Sequence, residues 1–396
     1  MTRIAILGAG PIGLEAALAA AQRGDDFCVY EAAPTVGGHL RRWSHVRTFT
    51  PWDMNVSPRM RAVLPDAPSG DALPSGAELA DDLLEPLAAL PAMQGHIRLG
   101  TRVLAIGREG LLKHEAIGDR RRASRPFRLL IGRPDGSEVI ARADIVIDAT
   151  GTYGNPNRLG DGGIDAVNER AFDDRIDRFL PALADEPQAW AGRTILLTGS
   201  GHSAQTAARE LAVFAGDAPG TRVLWAVRSA SPDWSAVAGD PLPERAALNR
   251  TAAELAAGAS GALQLRAGCV TEALQGRDGR IVVTLRNGQP EEVEVDRILA
   301  LNGGAPDHAL YRQLQVHECY ATSGPMNLAA ALLGEAGGGD CLAVSAHGPE
   351  TLRNPEPGFF ILGAKSYGRN SQFLLQVGWQ QVDDVFTSLL IDAPPG

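Results

Sequence analysis

At 396 residues the chain exceeds the length at which a single hydrophobic core usually stops growing, so two domains are the starting expectation. Hydrophobic residues make up 44% and charged residues 21%, which excludes a disordered or fibrous chain. The formal net charge of −10 argues against a nucleic-acid partner, because affinity for a polyanion needs clustered Lys and Arg to neutralise its phosphates.

Near the N-terminus, Gly8, Gly10 and Gly13 interrupt an apolar stretch and Glu15 follows, a pattern unlike a secretory leader. Arg3 to Leu7 reads instead as a short strand, and Gly8-Ala9-Gly10-Pro11-Ile12-Gly13 leads into an alanine-rich helical stretch, Leu14 to Arg23, stopped by Gly24. In such a strand-turn-helix unit the first glycine permits the tight turn and the second lets backbone approach a pyrophosphate. The third lets the helix pack closely on the strand. The helix N-terminus, with its unpaired N–H groups and positive dipole end, favours an anion there. A second strand, Phe27 to Tyr30, ends in Glu31, a carboxylate placed to accept hydrogen bonds from ribose hydroxyls.

Further along, Arg120, Arg121, Arg122 and Arg125 form the one basic cluster. It reads as a solvated hairpin tip, with a cofactor-phosphate contact as the alternative. Phe127 to Leu130 and Glu138 to Ala141 flank Pro134-Asp135-Gly136 as a hairpin, which feeds the apolar strand and turn Asp144 to Gly151. The whole pattern then recurs. Thr194 to Leu197 runs into Gly199-Ser200-Gly201-His202-Ser203-Ala204 and a helical stretch, Gln205 to Phe214, with Ala204 at the third glycine position. The next strand, Val223 to Val227, ends in Arg228 where the first copy has Glu31. A guanidinium there suits the 2′-phosphate of NADPH, while a merely solvated arginine is the alternative. A second hairpin, Ile281 to Leu285 and Val293 to Val295 around Asn287-Gly288, feeds the strand and turn Asp296 to Gly304. The expected fold class is therefore α/β, with two Rossmann-like dinucleotide-binding domains carrying β-meander or hairpin insertions.

These motifs resemble the two-dinucleotide-binding-domain flavoproteins, the group of flavin-containing monooxygenases, thioredoxin reductases and related pyridine nucleotide oxidoreductases, over nearly the whole chain. The marks are the Gly8 turn with Glu31, Gly37-Gly38, Ala149-Thr150-Gly151 with Tyr153 and Pro156, and the Gly199 turn with Ser203-Ala204. Ala-Thr-Gly-x-Tyr and Gly-x-Gly-x-Ser-Ala are most similar to the monooxygenase branch. The resemblance implies FAD held by a discontinuous domain, residues 1–155 and 300–396, and NADPH held by residues 156–299. Implied FAD contacts are Gly8, Gly10, Pro11, Ile12, Gly13, Glu31, Gly38, the backbone of Val103, Thr150, Gly151, Gly363 and Gln376. Implied NADPH contacts are Gly199, Gly201, Ser203, Arg228 and His202, the last either meeting phosphate or facing solvent. One departure stands out: Ala364 and Lys365 follow Gly363, where many disulfide reductases of the group place Asp. The helix Gln372 to Val382 would point its N-terminus toward the flavin. The polar run Lys365, Tyr367, Arg369, Asn370 and Gln376 either contacts flavin or substrate or forms a solvated turn.

Where the electrons go next is open to three readings. A dithiol relay needs two neighbouring cysteines, and Cys28, Cys269, Cys319 and Cys341 are scattered with no C-x-x-C; their sparseness also makes a reducing, cytoplasmic setting the default. Oxygen transfer needs no side-chain nucleophile, so the leading expectation is a flavin monooxygenase acting on a nitrogen or sulfur centre of a small molecule. In that reading Trp52 walls the flavin ring and Asn55 donates a hydrogen bond beside it, although core packing accounts equally well for the tryptophans. The alternatives are a reductase serving a small acceptor or partner protein, including single-cysteine disulfide chemistry at Cys319, and a flavin-binding sensor or scaffold that does not turn over. No histidine grouping has metal-ligand spacing, no apolar run of about 18 residues suggests a membrane span, and a homodimer is one option for assembly.

Overall fold

The computed structural model describes residues 2–237, 239–334 and 347–391, so Cys341 lies outside the described residues. From the N-terminus the chain forms β1 (Arg3–Leu7), α1 (Pro11–Arg23), β2 (Asp26–Tyr30), β3 (Ile97–Arg98), β4 (Arg102–Arg108), β5 (Phe127–Gly132), β6 (Glu138–Ala143) and β7 (Ile145–Asp148). It continues with β8 (Ile176–Asp177), β9 (Thr194–Thr198), α2 (His202–Asp217), β10 (Arg222–Val227), α3 (Pro243–Ala256), β11 (Leu263–Ala267), β12 (Val270–Arg277), β13 (Arg280–Asn287), β14 (Gln289–Val295) and β15 (Arg297–Ala300). The last long elements are β16 (Phe359–Ile361) and α4 (Leu375–Ile391).

Two compact units result, Met1–Asn155 with Ala305–Gly396 and Pro156–Gly304. The second extends past residue 299 because β15 pairs in parallel with β9, and Asn157 N–H then donates to the Gly303 carbonyl. Each unit holds one five-stranded parallel sheet, ordered β16-β7-β1-β2-β3 in the first and β11-β10-β9-β15-β8 in the second. Each also carries a three-stranded antiparallel meander, β4-β5-β6 or β12-β13-β14. Central parallel strands are buried on both faces, which is why β1, β7 and β9 read as continuous apolar runs rather than alternating ones.

Helix α1 starts at Pro11, earlier than the alanine-rich stretch alone suggests. The glycine turn supplies the N-cap, and proline at the first helical position loses an N–H that had no partner there. The small residues Ala16, Ala17, Ala19 and Ala20 let α1 bury most of its surface in the first unit's core, which also holds Val382 and Val385 of α4.

The structure corrects the solvated reading of the arginine cluster at Arg122, while Arg121 and Arg125 are exposed as expected. Arg120–Ala123 forms one helical turn, and Arg122 is 1% exposed rather than solvated. Its Nε and Nη2 donate to the Glu356 carboxylate at 2.9 and 2.7 Å, and Arg108 Nε donates to the same carboxylate at 2.7 Å. Gln315 N–H adds a further bond to Glu356 at 2.8 Å, and the Arg108 guanidinium sits 3.6 Å from the centre of the Phe127 ring. A carboxylate distant in sequence thus supplies the counter-charge that water was expected to provide.

Candidate functional site: two glycine turns

The first turn joins β1 to α1. Gly8 has φ +96°, and a Cβ there would stand 2.8 Å from the Ala149 carbonyl oxygen; a Cβ on Gly13 would overlap the Gly8 carbonyl. At Gly10, by contrast, nothing among the described residues lies within 4 Å of where a Cβ would sit. Two glycines are thus demanded by the protein's own packing, while the middle one borders open space at the N-terminus of α1. That is the cradle a diphosphate needs.

Glu31 lies just past β2. Its carboxylate accepts from the N–H groups of Ala9 and Ala33, both at 2.7 Å, so it braces the turn while each oxygen keeps a lone pair for a ribose hydroxyl. Gly38 packs so tightly that a Cβ would overlap that of Ala33. Val103 is in β4, just beyond Thr101, whose N–H donates to the Glu31 carbonyl at 2.7 Å. Pro11 is partly buried, whereas the Ile12 side chain is buried and packs against Gly363 and Gly378, so only its backbone faces the turn.

Thr150 and Gly151 follow β7 and form the opposite wall of the Gly8 turn. The Thr150 hydroxyl and N–H both donate to Asp148 Oδ1, at 2.7 and 3.1 Å. Lys365, one option for which was a solvated turn, is 1% exposed, and its Nζ is 2.7 Å from Asp148 Oδ2. Tyr367 is buried as well. Gly363 donates its N–H to Gln381 Oε1 at 2.8 Å, and Gln381 Nε2 donates to the Ser366 hydroxyl at 2.9 Å. Gln381 is therefore the α4 glutamine at the closing glycine. Gln376 lies exposed in the first turn of the helix, which begins at Leu375 instead of Gln372.

The two catalytic expectations are corrected. Asn55 is 3% exposed, and its amide donates to the carbonyls of Thr50 and Pro51 at 2.8 and 2.7 Å. Both amide hydrogens are committed to its own loop and none is left for a ligand. Trp52 is buried in the first unit's hydrophobic core. The aromatics that gather near the Gly37-Gly38 pair are His39, Trp43 and Tyr153, with His39 and Trp43 centred 5.7 and 6.5 Å from the Tyr153 ring. Burial pushes His39 below the usual imidazole range, against the pull of nearby Glu31.

The second turn repeats the first. A Cβ on Gly199, at φ +108°, would overlap the Leu301 carbonyl, while the corresponding position at Gly201 has nothing within 4 Å among the described residues. Trp225 Nε1 donates to the Gly199 carbonyl at 2.8 Å, and Gln205 Nε2 donates to the carbonyls of Ser200 and Trp234, both at 2.9 Å. His202 and exposed Ser203 open α2. Burial, reinforced by Arg245, pushes the His202 imidazole down, so it is neutral at ordinary pH. Arg228, the residue after β10, is exposed and has no hydrogen bond or ion pair among the described residues.

Cys28, Cys269 and Cys319 are free thiols. Burial raises Cys28 and Cys269, whereas hydrogen bonds from Thr322 lower Cys319, which sits in a turn closed by its N–H to the Gly324 carbonyl at 2.8 Å. Among the described residues no group of three His, Cys, Asp or Glu could hold a metal ion, and no helix is long and apolar enough to cross a membrane.

A profile of the NAD(P)-binding Rossmann-like domain matches residues 6–65, which run from the end of β1 through the Gly8 turn, α1 and β2 past the Gly37-Gly38 pair. Comparison with curated protein sequences finds no match. Among solved structures, the chain is similar to the bacillithiol disulfide reductase Bdr (YpdA) from Bacillus cereus, at TM-score 0.69 and 18% identity, covering 99% of each chain. The enzyme of the same name from Staphylococcus aureus gives TM-score 0.67 and 16% identity over 100% of both chains. An ornithine N-hydroxylase from Kutzneria sp. 744 gives TM-score 0.64 and 14% identity, covering 98% of this chain and 99% of that one. The fold, two Rossmann-like units each with an antiparallel meander, is thus shared with disulfide reductases and with an N-hydroxylase alike. The two bacillithiol disulfide reductases give higher TM-scores than the ornithine N-hydroxylase does.

Proposed function

We propose that the chain is an NAD(P)H-dependent flavoprotein reductase that binds FAD at the Gly8 turn and NADPH at the Gly199 turn and reduces a small oxidised acceptor, such as a low-molecular-weight disulfide. The carrying observation is the likeness to bacillithiol disulfide reductases over the full length of both chains. The commitment of both Asn55 amide hydrogens to its own loop supports it, because Asn55 then has none to offer in oxygen transfer.

When bound, FAD supplies the redox chemistry, taking a hydride from the nicotinamide and releasing two electrons. The chain's own groups bind and orient. The α1 N-terminus and the open backbone at Gly10 offset the charge of the diphosphate. Glu31 takes the ribose hydroxyls through its spare lone pairs, and the Gly363 segment with Gln381 shapes the far wall. In the second unit, Gly201, His202 and Ser203 open the phosphate site. Arg228, with no hydrogen bond or ion pair among the described residues, pairs with a 2′-phosphate. One NADPH and one proton then reduce one disulfide to two thiols. Cys319 is the thiol that a mixed-disulfide route would use.

The competing reading is a monooxygenase acting on nitrogen or sulfur, favoured by the likeness to the ornithine N-hydroxylase. Purified protein loaded with FAD is assayed anaerobically for NADPH oxidation with a panel of small disulfides and quinones. Acceptor-dependent turnover without oxygen is expected. NADPH consumption only in the presence of oxygen, with an oxygenated amine or sulfide as product, refutes the reductase. Protein that holds FAD but reacts under neither condition is a sensor or scaffold.

A further inference from the structure

Lys365 and Asp148 form an ion pair at the carboxyl ends of two neighbouring parallel strands, and both are buried, at 1% and 0% exposure. The ammonium is 2.7 Å from Asp148 Oδ2 and 3.1 Å from the Thr150 hydroxyl, with the Tyr311 ring centred 5.2 Å away. The other Asp148 oxygen holds the Thr150 N–H and hydroxyl. A single lysine charge is thereby connected, through one carboxylate, to the backbone of Thr150. That backbone is the surface on which Gly8 packs, since a Cβ on Gly8 would come within 3.3 Å of Thr150 Cα. The ion pair sets one wall of the first glycine turn.

The second unit shows that the fold does not require such a pair. Leu7 lies opposite Asp148 in the first sheet and Thr198 opposite Ala300 in the second, so Ala149-Thr150-Gly151 corresponds to Leu301-Asn302-Gly303. The backbone agrees, with φ of +70° at Gly151 and +76° at Gly303. There the wall is held by neutral hydrogen bonds: Thr198 Oγ1 donates to Asn302 Oδ1 at 3.0 Å, and Asn157 Nδ2 donates to the Asn302 carbonyl at 2.9 Å. A buried ion pair confers little stability over apolar residues of the same volume. Its presence in only one of two matching turns therefore points to the ligand of that turn.

We propose that Lys365 is a positioning residue for FAD: through Asp148 it fixes the Thr150-Gly151 wall so that the open backbone at Gly10 meets the diphosphate. The proposal rests on FAD being the ligand of the first turn. The test is a double-mutant cycle with Lys365→Met and Thr150→Val, measured as FAD affinity of the apoprotein by flavin fluorescence, with NADPH affinity as the internal control. Each single variant is expected to bind FAD about tenfold more weakly, the loss of one charge-assisted hydrogen bond to phosphate. Thr150→Val is expected to add nothing in the Lys365→Met background, because both act through one wall. NADPH affinity stays unchanged. Variants that bind FAD within about twofold of the wild type, or losses that simply add, overturn the proposal. If Lys365→Met does not fold, Thr150→Val decides alone, and wild-type FAD affinity there overturns it. Wild-type protein that cannot be loaded with FAD overturns the cofactor assignment and this proposal together.

Discussion

Gly10→Ala separates what the fold needs from what the ligand needs. Gly10 has φ −84° and ψ −175°, an extended conformation that alanine adopts freely, and a Cβ there meets nothing within 4 Å among the described residues. Restricting the unfolded chain stabilises by about 0.4–1 kcal/mol. Replacing glycine by alanine at a helix N-cap costs a similar amount, about 0.5–1 kcal/mol. The apoprotein should therefore keep its stability to within about 1 kcal/mol, and its melting temperature to within about 3 °C. The added methyl fills the space into which a diphosphate must come, and losing one charged hydrogen bond at about 1.5–3 kcal/mol weakens FAD roughly 10- to 150-fold. Thermal melts of the apoprotein and fluorescence titration with FAD measure the two effects separately. Gly13→Ala is the opposite control: its Cβ overlaps the Gly8 carbonyl, so the apoprotein itself should lose stability. Gly10→Ala protein that binds FAD as tightly as the wild type refutes the assignment of the diphosphate to this turn.

Arg228→Ala should lower kcat/KM for NADPH by about 10- to 150-fold, one charged hydrogen bond, and leave NADH untouched; an equal loss with both cofactors removes the 2′-phosphate role. Glu356→Gln withdraws the counter-charge from two buried guanidinium groups, and urea unfolding should show a loss of about 3–5 kcal/mol, whereas a change under 1 kcal/mol would contradict the burial described. His202 has a folded pKa below its ordinary 6.5, so the unfolded chain takes up a proton that the folded chain refuses. Stability is present above about pH 6.5 and falls as pH drops toward the folded value; His202→Gln should flatten that slope in denaturant titrations between about pH 7.5 and 5.5, and an unchanged slope counts against the burial.

What could be read from the sequence was local. Each glycine turn is written in six consecutive residues, and the hairpins follow from Asp135-Gly136 and Asn287-Gly288, where the turn chemistry lies at the turn itself. The side-chain directions were not local. Lys365 and Asp148 are 217 positions apart and Arg122 and Glu356 are 234 apart, and nothing in the residues around either cation marks it as buried. A charged residue beside a loop reads as solvated until a distant partner is known. Asn55 is a different case, since its partners Thr50 and Pro51 are only five and four residues away. Asn side chains readily hydrogen-bond nearby backbone, so a partner within five residues is a local alternative to the functional reading.

The duplication also indicates where function resides. Both turns share the same backbone: a first glycine pressed on the returning strand's carbonyl and a second bordering open space. Differences of charge between the copies therefore point to their ligands, since the two sheets share one register. Gly13 is replaced by Ala204, whose Cβ would stand 3.4 Å from one on Gly199, so the second turn leaves room where the first leaves none. Glu31 is replaced by Arg228, exchanging an acceptor for ribose hydroxyls with a donor for phosphate. The buried pair Asp148–Lys365 is replaced by Ala300 and the neutral Asn302–Thr198 bond. Each exchange alters charge or clearance within the turn and leaves the sheet register intact. Exchanging Arg228 for glutamate should accordingly change which dinucleotide binds, while the melting behaviour of the protein without cofactors stays close to that of the parent chain.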